Sequence, residues 1–181
     1  MADAISAATR AAVTELFRER LGERFYYCAL ITTGDAVAPV LCAWSEEALE
    51  ATARRLSTGS TSRDELMREI RWSYADSRYY AYGEAHFDVA RSLWSRLGRL
   101  DSRDPAAWER GFKMRLDAMV AAIKQLDAEG LSGVGEARRS IVVNVECMPP
   151  DRGDVERAMD LNPPEALTEW LAEAAESEES T

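Results

Sequence analysis

The spacing of apolar positions changes several times along the chain, and each change marks an element. From Ser6 to Leu21 the positions Ala8, Ala12, Leu16 and Val13, Phe17, Leu21 recur at helical spacing, and Gly22 is placed to stop the helix. The run Phe25-Tyr26-Tyr27-Cys28-Ala29-Leu30-Ile31-Thr32-Thr33 is aromatic and β-branched with too little alternation for a wet face, which predicts a central strand. Gly34-Asp35 is a turn signal, and Val37 to Trp44 returns as a second strand, so the pair forms a hairpin. Pro39 cannot donate to a ladder, which confines that second strand to an edge or a bulge.

Ser45 followed by Glu46 and Glu47 is an N-cap with carboxylates in the first turn, opening a helix to about Leu56. A polar loop from Ser57 to Ser62 precedes a helical turn over Asp64 to Arg68, and Ile70-Arg71-Trp72-Ser73-Tyr74 has the composition of a third strand. Ala85 to Leu97 reads as a helix closed by Gly98. Asp104-Pro105 then supplies an N-cap and a first helical residue for a long helix to about Ala128, with Trp108, Phe112, Leu116, Met119 and Ile123 as its apolar stripe. Gly130, Gly133 and Gly135 lead into a strand over Ser140 to Cys147, ended by Pro149-Pro150-Asp151. Two helices follow: Asp154 to about Leu161, and one begun by Asn162-Pro163-Pro164 that carries Leu167, Trp170 and Leu171. No internal repeat is present. The order of elements predicts an α+β fold, a small mostly antiparallel sheet covered by helices, as a single domain over residues 1–175 with a disordered acidic tail over 176–181.

Charge refines this picture. Between Met1 and Val145 there are 21 acidic and 20 basic residues, whereas Glu146 to Thr181 holds 11 acidic and 2 basic, so nearly all of the net −10 belongs to the C-terminal stretch. Phosphates repel such a surface, which excludes it as a nucleic-acid docking face. No apolar run approaches the ~20 residues of a membrane span, and the start Met1-Ala2-Asp3-Ala4-Ile5 lacks the basic and apolar regions of a signal peptide. The three cysteines, Cys28, Cys42 and Cys147, fall at long spacings inside apolar runs, where a reduced thiol behaves as a small hydrophobe; a cytoplasmic protein without a disulfide framework is expected.

Candidate chemistry is sparse. The densest feature is aromatic: Trp72, Tyr74, Tyr79, Tyr80, Tyr82, Phe87 and Trp94 put seven of fifteen aromatics into 23 residues, interleaved with Arg71, Arg78 and Arg91. Tyr, Trp and Arg together make binding hot spots, and Arg71, Trp72, Tyr74, Arg78, Tyr79, Tyr80 and Tyr82 are the candidate contact residues; the competing reading is that part of this set plugs the core. His86 is the only histidine. In Glu84-Ala85-His86-Phe87-Asp88 the polar residues would share one face of a strand, but on the predicted helix His86 points about 200° from Glu84, which separates them as metal ligands. A cysteine–histidine dyad would require the fold to bring a strand cysteine to His86. The glycines spell G-x-x-G-x-G between a helix and a strand, the wrong order and context for a dinucleotide fingerprint. No Gly-x-Ser-x-Gly or Walker loop occurs, and no cofactor, metal or catalytic set is expected.

Taken together, Phe25-Tyr26-Tyr27-Cys28-Ala29-Leu30, Ile70-Arg71-Trp72-Ser73, Leu126-Asp127-Ala128-Glu129-Gly130, Ile141-Val142-Val143-Asn144-Val145 and Leu161-Asn162-Pro163 give the chain a resemblance to a bacterial family catalogued as domain of unknown function 4303. The resemblance implies a single-domain cytosolic protein and carries no reaction, cofactor or catalytic residue with it. It also implies a second Trp shortly after Trp72, where this chain has Tyr79-Tyr80. By analogy, small families of this kind include immunity proteins that neutralise toxins. The expected function is a non-enzymatic protein-binding module of the immunity or antitoxin kind, its acidic C-terminal third suiting a basic partner such as a toxin. The rivals are a small enzyme with a pocket near Trp72 to Asp88, using Asp76, Glu84, His86 or Asp88, and a structural homo-oligomer.

Overall fold

A computed structural model describes residues 1–58, 61–150 and 152–178. Three strands form its centre, β1 (Phe25–Thr33), β2 (Val40–Ser45) and β3 (Val142–Met148), in the order β2-β1-β3. β1 and β2 pair antiparallel through the predicted hairpin, with a register shift between Phe25 and Tyr27. β3 pairs with β1 in parallel, from Tyr27 opposite Val142 to Thr33 opposite Met148. The fold is α+β as expected, and its sheet is mixed rather than fully antiparallel. The cause lies in the connection: a long helical crossover returns the chain to the end where β1 began, and a strand entering there must run parallel to it.

Alternation along the strands divides the core in two. Cys28, Leu30, Leu41, Val143, Val145 and Cys147 face one side, where α1 (Ala2–Glu19), α4 (Asp88–Leu97) and α5 (Pro105–Ala128) bring Ile5, Ala12, Trp94 and Met119. Tyr27, Ala29, Ile31, Cys42, Trp44 and Val142 face the other, where α2 (Glu46–Leu56), α3 (Arg63–Ile70) and α8 (Pro164–Glu178) bring Leu49, Ile70 and Trp170. β1 is buried on both faces, which is why its sequence does not alternate. The one-turn α6 (Glu136–Arg139) leads into β3. α7 (Arg152–Leu161) lies along the outer edge of that strand, giving Ala158 to one core and Leu161 to the other.

Several expectations are adjusted by local physics. α1 ends at Glu19, leaving Leu21 in solvent. β2 starts only after Pro39 and occupies an edge, as a missing N–H requires. Ser45 closes β2 and caps α2 by accepting from Ala48 N at 3.0 Å, and Asp104 caps α5 in the same way from Ala107 N at 2.9 Å. Ile70 to Tyr74 is not a strand: Ile70 ends α3 and the rest is a turn, because Trp72 is needed against Tyr26 and Tyr27 across the sheet face. The helix predicted from Ala85 begins instead as a 3₁₀ turn over Glu84–Phe87. The centre of the polar loop at 59–60, Asp151 in the Pro149-Pro150-Asp151 stop, and the end of the predicted tail at 179–181 lie outside the described residues. Residues 176–178 belong to α8.

Candidate functional site

A three-stranded sheet has two edges, and both are sealed by groups from elsewhere in the chain. On β2 the carbonyl of Ala43 accepts from Ser77 Oγ at 2.6 Å and that of Leu41 from Tyr82 N at 3.2 Å. The segment from Arg71 to Gly83 thus lies along the β2 edge as an irregular cover. Trp44, wholly buried, holds it further by donating Nε1–H to Ser73 O at 2.9 Å. On β3 the cover is made by side chains. The amide of Asn162 imitates a neighbouring strand: Oδ1 accepts from Val143 N at 2.8 Å and Nδ2 donates to Val143 O at 2.6 Å. Asp154 accepts from Cys147 N at 2.9 Å, and Arg157 Nε donates to Val145 O at 2.6 Å. Unpaired edges are templates for strand addition, and these groups occupy the edge positions that such a strand would use.

The cover over β2 is where the candidate contact residues fall, and they divide into three groups. Arg71 and Trp72 sit beside α8. The Arg71 guanidinium lies 4.4 Å from the Tyr26 ring centre and 5.4 Å from that of Trp72, and it donates to Glu46 at 3.0 and 3.2 Å and to Glu169 at 3.0 Å. Burial alone would lower its pKa, but Glu46, Glu169 and Tyr26 together outweigh that and raise it. Tyr79 and Tyr82 sit beside α1, their rings edge to face at 6.1 Å. The Tyr79 hydroxyl donates to Glu23 at 2.8 Å and that of Tyr82 to Glu19 at 2.7 Å; burial first, then these carboxylates, push both hydroxyls up to about 12. Tyr79 is 2% exposed, and with Phe87 and Trp94 it belongs to the core. The third group faces outward: Tyr80 is 41% exposed, Arg78 is exposed above the Tyr79 ring at 5.6 Å, and Tyr74 is half-buried.

The residues singled out for catalysis do not converge. His86 is exposed on the 3₁₀ turn, hydrogen-bonded through Nε2 to Glu15 of α1. Asp76 accepts from Ser73 Oγ at 2.6 Å, while Glu84 and Asp88 share Arg91. Cys28, Cys42 and Cys147 are all buried, and burial pushes the Cys28 thiol up to about 12 and that of Cys42 higher still. Among the described residues no group of His, Cys, Asp and Glu is arranged to hold a metal ion, and no helix is long and apolar enough to cross a membrane.

A cluster that the sequence reading passed over lies where α7 meets β3. Glu146 is 8% exposed on the inner face of the strand. Its carboxylate accepts from Asn144 Nδ2 at 3.2 Å, and the buried Tyr27 hydroxyl faces it. Asn144 Nδ2 also reaches the Asp154 carbonyl at 3.2 Å, and Arg157 binds the Asp154 carboxylate, so the cluster ties strand to helix. Burial pushes the Glu146 carboxyl up to about 7, helped by the Asp154 charge and opposed by Tyr27, Asn144 and Arg157. The signal was present in the sequence: Asn144 and Glu146 are polar at i and i+2 in an otherwise apolar strand, which puts both on one face.

An edge-sealed mixed sheet between helical layers, with an aromatic and arginine-bearing cover and no convergent catalytic set among the described residues, defines a small α+β protein. The chain belongs to the family described as Domain of unknown function (DUF4303), whose family model matches residues 5–163. The match includes the edge-sealing Asn162 and stops one residue short of α8. Comparisons with curated proteins and with solved structures each gave no match.

Proposed function

We propose that the protein is a non-enzymatic protein-binding module of the bacterial cytoplasm, of the immunity or antitoxin kind, that takes a basic partner. The observation that carries this reading is Arg71, which joins the aromatic cover to Glu46 of α2 and Glu169 of α8 and so makes one continuous face of two features that lie far apart in sequence. Further along the same cover Arg78 and Tyr80 stand out to solvent, the residue types that anchor hot spots. On α7, and on α8, which Arg71 joins to the cover through Glu169, the side chains of Glu156, Glu165 and Glu169 are exposed and acidic, which steers a basic partner and makes encounter sensitive to salt. Three buried reduced thiols suit a reducing compartment.

The test is purification of the full chain from its native host under several growth conditions, beside a double variant Arg78→Glu/Tyr80→Ala. A stoichiometric basic protein should accompany the wild type, weaken with added salt and be lost from the variant. Recovery of no stoichiometric partner, or equal recovery by the variant, refutes the reading.

A further inference from the structure

We infer that Glu146 is a proton-operated latch on α7: while it holds a proton the helix stays on the edge of β3, and when it ionises the N-terminal part of the helix is driven off. The geometry sets the two states. Glu146 faces Tyr27 of β1, Cys42 of β2, Tyr74 of the cover and Asp154 and Arg157 of α7, with Asn144 beside it on its own strand. Arg157 is the one cation among these groups, and it is already engaged by Asp154 and the Val145 carbonyl. A carboxylate at Glu146 therefore adds a second negative charge to a buried seam whose cation is committed. That charge cannot leave with β3, which is hydrogen-bonded to the central strand along its length. The movable wall is α7, held at its start by Asp154 on Cys147 N and by Asn144 on the Asp154 carbonyl. Opening that wall admits water to Glu146 and separates it from Asp154, relieving both burial and repulsion. The device is intrinsic to the fold and independent of the identity of any partner.

Hydrogen–deuterium exchange of the full chain across pH tests it, with each amide corrected for its intrinsic rate. A carboxyl held near 7 in the closed state and near its ordinary 4.5 in the open state makes α7 opening grow about tenfold per pH unit between those values and level off above about 7. Protection of the α7 amides should fall accordingly while β1 amides stay protected, and Glu146→Gln should remove the fall. The inference is overturned if α7 protection is flat with pH, if Glu146→Gln keeps the same slope, or if β1 loosens in step, which would make the effect one of global stability. Should Glu146→Gln fail to fold, carbon NMR titration of the wild-type carboxyl decides. A midpoint near 7 shared by the α7 amide shifts supports the latch, and one in the ordinary glutamate range overturns it.

Discussion

Replacing Asn162 by leucine tests the seal on β3 most directly. Leucine fills a similar volume and keeps the buried position at the end of α7, but offers no polar atom. Val143 then loses the acceptor for its N–H and the donor to its carbonyl, bonds of 2.8 and 2.6 Å in a buried setting. Ala158 O loses the side-chain bond but keeps its helical one from Asn162 N at 3.1 Å. Arg138 loses its 3.2 Å contact while retaining Ile141 O, Leu161 O and Asp127, so it contributes little to the loss. Two orphaned backbone groups at about 1–3 kcal/mol each give a destabilisation of about 2–6 kcal/mol, a large share of the roughly 5–15 kcal/mol that holds a domain together. Urea unfolding followed by tryptophan fluorescence reads it as a lower midpoint at unchanged slope, and faster exchange of the Val143 amide locates it. Asn162→Asp keeps an acceptor for Val143 N–H and Arg138 but turns a carboxylate oxygen on two carbonyls. It should recover part of its loss at low pH, where the protonated carboxyl donates again. An Asn162→Leu protein within about 0.5 kcal/mol of wild type would refute the argument, since it would show that the edge bonds contribute nothing net.

Three further outcomes follow from the packing. Gly83 has φ +63° and a Cβ there would stand 2.7 Å from Ala12 Cβ, so Gly83→Ala should cost about 2–4 kcal/mol in thermal or urea unfolding, whereas Gly22→Ala, with nothing within 4 Å, should be neutral. Tyr79 and Tyr82 are held neutral up to about 12 against an ordinary value of 10.0, so the unfolded chain loses these protons first; stability should fall as pH rises from about 10 to 12, and Tyr79→Phe should flatten that fall in urea melts. A thiol reagent should titrate none of Cys28, Cys42 and Cys147 in the native protein and all three in denaturant; rapid native labelling of Cys28 would contradict its burial.

The elements with a local signature were legible. The N-caps at Ser45 and Asp104, the buried run of β1 and the edge placement forced by Pro39 each follow from the chemistry of a few adjacent residues. The direction of β3 was not legible, because it depends on where a long crossover returns rather than on anything in Ile141 to Cys147. Trp72 misled for the same reason: its β propensity yields to the demand for a large ring over Tyr26 and Tyr27. The aromatic segment proved divided, with Tyr79 in the core and Tyr80 in solvent although they are adjacent, since an irregular cover follows no period that sequence spacing could reveal. The Glu146 cluster was half visible, as two polar residues on one strand face; its partners on α7 come from a packing contact.

The seal on β3 also sets where this protein can be cut. All three strands are complete at Met148, yet the side chains that close the outer edge, Asp154, Arg157 and Asn162, are made afterwards. A chain that stops between these points has its whole sheet and a raw margin, and chains in that state stack on one another through it. During synthesis the interval is short, about one helix of chain. In a truncated product it is permanent, so closing the outer edge takes chain as far as the amide of Asn162, and covering the sheet face takes α8 with Leu167 and Trp170 beyond it.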